Sequence, residues 1–105
     1  MFVAYSELNQ FDVVNAKAGM PPYVVSLIDG DMVTFTNDVD TFTDNTGQAD
    51  LLNRTLSLKY CKIMTDFTIH ATVAGQVICG IRSTQNSKQV DGGATCEKCL
   101  ELINK

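Results

Sequence analysis

Histidine is scarce in this chain: His70 is the single one among 105 residues, beside four cysteines. One imidazole excludes the His-Glu-x-x-His motif of zinc proteases, which places two histidines on one helix face. If His70 binds a metal, no histidine remains to act as a general base. Glycine-rich phosphate loops are absent too, since Gly30 and the pair Gly92–Gly93 lie outside any such spacing. We therefore predict that the protein is not an enzyme and has neither catalytic residues nor an organic-cofactor site.

Basic residues are scarce in the first half of the chain, where Lys17 stands alone within residues 1–50. One base and eight acids give this half a net charge of −7, whereas seven bases and four acids give residues 51–105 a charge of +3. The whole chain carries −4 with a pI near 4.6, which argues against a general nucleic-acid binder. The acidic half is either a solvated face that favours solubility or a surface that binds a partner.

Long hydrophobic runs are also missing. The longest uncharged apolar stretches, such as residues 23–28, are far shorter than the roughly 20 residues that a bilayer span needs. The first ten residues contain no basic stretch followed by a long apolar one, which a secretory signal requires. We therefore expect a soluble, cytoplasmic protein without membrane contact. A reducing cytoplasm disfavours disulfides and favours metal binding or free thiols for the cysteines.

Short runs rich in β-branched and aromatic residues indicate a mainly β fold. They predict strands at residues 2–5, 11–14, 23–28, 32–36, 41–43, 67–72 and 77–81. Asp29-Gly30-Asp31 and Asn37–Asp40 are predicted as hairpin turns, which explains their paired carboxylates without catalysis.

The remaining segments are predicted from weaker patterns. Residues 44–50 and 83–94 are polar and are predicted to be loops, and residues 51–64 to be a strand after a short turn. Thr95 is predicted to cap a terminal helix whose apolar stripe contains Leu100, Leu102 and Ile103.

Four potential metal ligands follow one another in the second half: His70, Cys79, Cys96 and Cys99. Zinc takes four nitrogen or sulfur donors at tetrahedral corners. A Cys-x-x-Cys pair entering a helix places two sulfurs on one side, and a hairpin turn at residues 74–76 would bring His70 to Cys79. The pattern predicts a structural Zn²⁺ bound by all four side chains. The other interpretations are a redox pair or disulfide within Cys-Glu-Lys-Cys, and buried thiols without metal.

Cys61 leaves one alternative open for the fourth ligand. It is most simply a small buried apolar residue, but it could replace His70 and give an all-cysteine site. We prefer His70, because the predicted hairpin places it nearer Cys79.

A zinc deaminase is excluded by the neighbours of these ligands. That class needs His-x-Glu and Pro-Cys-x-x-Cys, with the glutamate as proton shuttle. Here Ala71 and Thr72 follow His70, and Thr95 precedes Cys96. Four protein donors also leave no open position for a reacting water.

Residues 66–105 resemble the short zinc-binding proteins common in bacteriophages and actinobacteria. Those proteins carry a histidine, a Cys-Gly pair after a hairpin, a variable loop, and Val-Thr-Cys-x-x-Cys-Leu opening a terminal helix. The shared positions are His70, Cys79, Gly80, Thr95, Cys96, Cys99 and Leu100. Ala94 stands where valine is usual. The resemblance implies a metal site and a phage-like origin, and with it the cytoplasm of a host cell.

The fold class expected from all of this is α+β, mainly β: a small antiparallel sheet or barrel with a zinc-bound hairpin and one C-terminal helix. We predict one domain over residues 1–105, with an acidic β-rich part (1–65) and a zinc-binding part (66–105). The zinc would hold together a part that has little apolar mass of its own.

Two functions are compatible with this design. In the first, the acidic surface binds and modulates or inhibits a host protein. An example is a basic nucleic-acid-processing or defence enzyme, where the carboxylates would lie in place of the phosphates of its nucleic acid. In the alternative, the protein is a nucleic-acid-binding zinc finger that uses bases near the metal site. Those bases are Arg82, Lys88, Lys98 and Lys105. The net negative charge and the lack of an aromatic residue in residues 83–94 count against direct nucleic-acid binding.

Overall fold

The protein is described by a computed structural model that covers residues 1–54, 57–63, 68–80 and 87–104. Within these ranges the chain forms strands and two short helical segments. The strands are β1 (Phe2–Ala4), β2 (Val13–Asn15), β3 (Tyr23–Asp29), β4 (Met32–Thr36), β5 (Thr41–Asp44), β6 (Gln48–Asn53), β7 (Lys59–Ile63), β8 (Ile69–Val73), β9 (Gln76–Val77) and β10 (Ser87–Val90). A 3₁₀ turn covers Tyr5–Glu7, and the α-helix α1 covers Glu97–Ile103.

The first sheet has six antiparallel strands in the order β1-β6-β2-β3-β4-β5. Both predicted hairpins are confirmed. In the first, Asp29 pairs with Met32 across a turn in which Gly30 has a φ of 62°, a value that glycine adopts without a Cβ clash. In the second, residues 37–40 join β4 to β5.

The second sheet has four antiparallel strands in the order β10-β7-β8-β9. Its central pair sets Cys61 directly opposite His70. Strand β7 comes from the part of the sequence before residue 65, and its partner β8 comes from the part after it. The division of the domain at residue 65 stays a prediction.

Two hydrophobic cores share the middle strands of the first sheet. Successive residues of a strand point to opposite faces, so Val24 packs into one core and Val25 into the other. The first core contains Tyr5, Leu8, Val14, Tyr23, Val25, Val33, Phe35 and Ala49. The second core contains Phe11, Val13, Val24, Ala71, Val73, Val77, Ile78, Cys99 and Leu102. The second core therefore joins both sheets to α1, and the predicted α+β, mainly β class with one C-terminal helix is confirmed.

Several predicted boundaries are wrong. Residues 44–50 are a loop only in part, because β6 begins at Gln48. Residues 51–64 contain parts of two strands, β6 and β7, which pair in different sheets. The predicted loop at residues 83–94 contains β10, while residues 83–86 lie outside the described ranges, as does Phe67. These strands escape the pattern because they lie at or near sheet edges, with polar residues on an exposed face.

Candidate metal centre

The four predicted ligands lie together in the structure. The donor atoms of His70, Cys79, Cys96 and Cys99 all lie within 4.8 Å of one another. His70 and Cys99 are buried, whereas Cys79 and Cys96 are half-buried. The side chains come from β8, from the turn after β9, and from the first turn of α1 with the residue before it. A separation of up to twenty-nine residues in sequence is thus closed in space.

A tight hairpin brings Cys79 to His70. Ala74 and Gly75 both have positive φ, 51° and 80°, and reverse the chain between β8 and β9. The backbone N–H of Ile78 then donates to the carbonyl of Ala71 over 3.1 Å, which holds the return strand in register. As a result the sulfur of Cys79 lies 3.4 Å from Nδ1 of His70. The predicted turn at residues 74–76 is confirmed, although Gln76 already belongs to β9.

Backbone hydrogen bonds fix Cys96 to strand β8. The N–H groups of Thr95 and Cys96 both donate to the carbonyl of Ile69, over 2.8 and 3.0 Å. In return the N–H of Ile69 donates to the hydroxyl of Thr95 over 2.9 Å. The prediction that Thr95 caps the helix is wrong: Cys96 is the N-cap residue, with no side-chain cap hydrogen bond. The threonine hydroxyl is used instead to join the helix entry to the residue that precedes His70.

The helix α1 is held at its far end by Gln10. The side-chain amide of Gln10 donates to the carbonyl of Leu102 over 2.6 Å and to the carbonyl of Ser26 over 3.0 Å. The carbonyl of Leu102 in the last helical turn thus gains a hydrogen-bond partner from outside the helix. The same turn buries Leu102 in the second core. Nothing in the local sequence around Gln10 indicates this contact, because it joins residues ninety-two positions apart.

The spacing of the donors fits a tetrahedral zinc ion. With Zn–S near 2.3 Å and Zn–N near 2.0 Å, tetrahedral angles separate a nitrogen from a sulfur by about 3.5 Å. The observed distances from Nδ1 of His70 are 3.4 Å to Cys79 Sγ and 3.7 Å to Cys99 Sγ. Three cysteines and one histidine are a frequent donor set for structural zinc, and sulfur donors disfavour magnesium and calcium. The cluster can therefore hold a metal ion, and its chemistry fits zinc.

The buried Cys99 thiol retains its proton more strongly than a free cysteine when no cation is near it. A hydrogen bond with Cys79 raises the pKa of the Cys99 thiol, and desolvation by burial raises this pKa further. The N–H of Ala71 donates to the same sulfur and acts in the opposite direction, since it stabilises the thiolate. Three sulfurs gathered in a partly buried space repel one another as anions, so the arrangement requires either protons or a cation.

The residue after Cys79 is Gly80, at a position where a side chain would be strained and crowded. Its φ is 82°, and a Cβ at this position would lie 3.1 Å from the hydroxyl of Thr41 and 3.2 Å from that of Thr36. Those two hydroxyls are themselves hydrogen-bonded over 2.6 Å. The chain leaving the metal centre thus passes closely over the first sheet.

Cys61 lies next to the cluster but outside it. It is the cross-strand neighbour of His70, yet its sulfur is not one of the four mutually close donors. Burial raises the pKa of the Cys61 thiol, and the negative charges of Cys79 and Asp38 raise it further. The arrangement favours His70 over Cys61 as the fourth ligand, as the sequence analysis preferred.

Comparisons of the chain with protein-family models, with curated proteins and with solved structures gave no match. Within the described ranges, no helix has the length and apolarity needed to cross a membrane.

Proposed function

We propose that this protein binds one Zn²⁺ through His70, Cys79, Cys96 and Cys99, and that the ion is structural. The observation that carries the proposal is the mutual proximity of four donor atoms within 4.8 Å. His70 lies on β8, Cys79 in the turn after β9, and Cys96 and Cys99 at the start of α1, so an ion between them would join the helix to the second sheet. Four protein donors fill a tetrahedral shell, which leaves no position for a substrate or a reacting water.

Elemental analysis of untagged protein tests this part of the proposal. We expect one zinc per chain after extensive dialysis, with X-ray absorption spectra that fit three sulfurs and one nitrogen. Absence of a stoichiometric transition metal would overturn the site. Stoichiometric iron with the same ligands would overturn zinc as its occupant.

The proposed activity is binding to a basic protein partner through the acidic first sheet. Three of the eight carboxylates of residues 1–50, which lie on this sheet and its connecting segments, have ion-pair partners: Asp12 with Arg54, Asp40 with Lys17, and Asp50 with the N-terminal amine. The remaining five carboxylates form no ion pair with any described residue. These five are Glu7, Asp29, Asp31, Asp38 and Asp44. Five uncompensated carboxylates give this part of the molecule a negative potential that attracts a basic surface.

The resemblance of residues 66–105 to phage and actinobacterial zinc proteins supports the identity of the partner. A phage-encoded chain acts in the cytoplasm of its host, where a basic nucleic-acid-processing or defence enzyme fits the acidic surface. We propose that binding modulates or inhibits that enzyme, with carboxylates lying where nucleic-acid phosphates would lie. On this proposal the protein is itself not an enzyme.

Affinity capture from host lysate, followed by binding measurements with the purified captured enzyme, tests this activity. We expect binding to weaken steeply between 50 and 500 mM salt, on the order of tenfold or more, because screened surface charges attract weakly. The variant Asp29→Asn/Asp31→Asn removes two exposed turn carboxylates and should bind more weakly. A matched variant, Asn45→Gln/Thr46→Ser, leaves the charge unchanged and should bind normally. Binding that does not depend on salt would refute the proposal that the carboxylates imitate nucleic-acid phosphates.

Direct nucleic-acid binding is the second candidate function. Lys62 and Lys88 are cross-strand neighbours on β7 and β10, with Tyr60 on the same strand as Lys62. Adjacent bases with a nearby aromatic side chain are typical of nucleic-acid surfaces. Two other bases named for this function, Arg82 and Lys105, lie outside the described residues. A gel shift at low salt that disappears with chelator would favour this function over the first, and no shift would exclude it.

A further inference from the structure

An open cleft of about 470 Å³ lies between the loop that joins β4 to β5 and the strands β7, β8 and β10. Asp38 lines it from the loop, Lys59 and Cys61 from β7, and Ser87 and Gln89 from β10. The volume is within the range of ligand-binding clefts and exceeds that of a single side chain. Because its lining is mostly polar, the cleft suits a ligand that carries hydrogen-bonding groups.

The loop that carries Asp38 is held in one conformation. The side-chain oxygen of Asn37 accepts hydrogen bonds from the N–H groups of Val39 and Asp40, each over 2.8 Å. The N–H of Asp38 itself donates to the side-chain oxygen of Gln76 over 2.8 Å. The sequence analysis attributed this turn to its aspartates, whereas the structure assigns the turn contacts to Asn37. Asp38 is therefore held in position without using its own carboxylate for the turn.

One carboxylate oxygen of Asp38 is buried without a hydrogen-bond donor. Its Oδ1 atom is buried and accepts no hydrogen bond, and no described base forms an ion pair with it. A buried carboxylate oxygen without a donor costs free energy, which a donor supplied by a ligand would recover. A cationic donor recovers the most, because charge-assisted hydrogen bonds are about twice as strong as neutral ones.

Two charged side chains line the cleft in the described part of the chain, Asp38 and Lys59. Among the described residues that line the cleft, Asp38 is the one acidic side chain. Lys59 also lines the cleft, but it is exposed and forms no ion pair with Asp38. A ligand cation can therefore approach the carboxylate while Lys59 remains in solvent.

We propose that this cleft takes the guanidinium group of an arginine side chain on the partner protein, with Asp38 as its counter-ion. The inference rests on the proposed binding to a basic partner and identifies where one of its side chains docks. Arginine fits better than lysine, because its flat fork of five donors can reach several acceptors at once. Gln89 and Ser87 supply further acceptors, and the ring of Tyr60 lines the same cleft.

Chemical-shift mapping tests the proposal with small probes. Zinc-loaded, ¹⁵N-labelled full-length protein is titrated at low salt with N-acetyl-Gly-Arg-Gly-amide. The matched probe replaces arginine by citrulline, which has a similar shape and no charge. We expect the arginine peptide to shift the amides of Asp38, Cys61 and Gln89, and the citrulline peptide to bind at least fivefold more weakly.

Two variants with the same change in charge locate the site. Asp38→Asn should weaken binding of the arginine peptide at least fivefold, whereas Asp31→Asn, in the exposed β3–β4 turn, should change it less than twofold. Lys59→Gln should strengthen binding, since Lys59 is the one basic side chain among the described residues that line the cleft. A heteronuclear spectrum of each variant confirms that it remains folded.

The outcomes separate this inference from the proposed function. If the peptide shifts amides around Asp29 and Asp31 while the cleft stays unaffected, the cleft inference is overturned and the acidic surface is retained. If Asp38→Asn and Asp31→Asn weaken binding equally, the cleft has no specific part and the inference fails. If the captured host enzyme binds the Asp38→Asn protein as tightly as the wild type, arginine docking at Asp38 is refuted even though the partner is real.

Discussion

Individual residues at the metal centre have little freedom to change. Gly80 has a left-handed φ of 82° and two threonine hydroxyls where a Cβ would lie. Gly75 has nearly the same φ, 80°, but open space around it. Comparing substitutions at Gly75 and Gly80, which lie on either side of Cys79, therefore distinguishes the cost of backbone strain from the cost of steric contact.

We expect Gly80→Ala to lower the free energy of unfolding by about 2–3 kcal/mol, whereas Gly75→Ala costs about 1 kcal/mol. Both variants impose a strained φ, but in the first the methyl group must also displace Thr36 and Thr41. Urea unfolding of the zinc-loaded proteins measures the difference. Equal losses would show that the threonine contact has no energetic effect.

The ligand assignment is tested by two cysteine variants. Cys96→Ser should weaken zinc binding more than about 100-fold, since loss of even an outer-shell partner costs roughly 10–100-fold. Cys61→Ser should leave the affinity within a few-fold, because its sulfur lies outside the group of four close donors. Competition with a chromophoric chelator measures both. Loss of zinc in Cys61→Ser with retention in His70→Ala would instead favour the all-cysteine site.

Asp40 gives the first sheet a pH-dependent contact. The Tyr23 hydroxyl donates to Asp40 Oδ2 over 2.9 Å and the Lys17 ammonium over 3.1 Å, and both lower the pKa of Asp40 below its ordinary value of 3.8. The folded-state pKa is the lower one, so the contact stabilises fully above pH 4 and is lost as pH falls through that lower pKa. Carbon-13 NMR of the carboxyl groups should show Asp40 titrating below 3.8, and Tyr23→Phe should raise its pKa. An unchanged pKa in that variant would contradict the assignment.

At the scale of the elements, the short helix α1 depends on tertiary contacts. It has seven residues, and an isolated helix of this length is not stable in water. Its buried face is provided by Cys99 and Leu102, and the side chain of Gln10, in the segment before β2, donates to the carbonyl of Leu102. The helix therefore holds Cys99 at the donor cluster, with Cys96 at its N-cap, only because the rest of the molecule stabilises it.

Two leucine variants of α1 test this dependence. Leu102→Ala should cost about 2–4 kcal/mol, because it opens a cavity in the second core. Leu100→Ala should cost less than about 1 kcal/mol, since Leu100 is 38% exposed and Leu102 only 4%. Chemical unfolding with saturating zinc measures both, and chelator should remove zinc faster from the Leu102→Ala protein. Similar stabilities would refute the packing assigned to α1.

Local signals in the sequence predict the elements that local forces determine. Gly30 and the strand-forming runs beside it predict the β3–β4 hairpin, and the turn before Cys79 predicts its approach to His70. Strand β10 could not be predicted, since its polar sequence is stabilised by pairing with β7 across a long connection. The same holds for Gln10 and Thr95, whose contacts join distant parts of the chain. The grouping of His70 with three cysteines could be predicted because a zinc site requires four donors, whatever the connections between them.

At the scale of the whole molecule, the metal centre belongs to one of the two cores. Cys99 lies in the second core with β8 and β9, while the first core contains none of the four ligands. Loss of the metal should therefore affect the two cores unequally.

Hydrogen exchange with and without chelator measures this difference. We expect the protection of the Ala71 amide to fall by at least about 30-fold on metal removal, and that of Phe35 to change less than about threefold. Adding zinc back should restore both values. A uniform loss of protection would show that the protein unfolds as one cooperative unit when the metal leaves.

The six-stranded sheet has a consequence for biosynthesis. All of its strands lie within residues 2–53, ahead of His70, the first of the four clustered donors in the chain. A ribosome translates from the amino end, and each part of a nascent polypeptide folds when its partners have emerged. The acidic sheet can therefore assemble before the four donor side chains have been made, and the segment that follows can bind the proposed zinc ion while it packs on a sheet that is already formed.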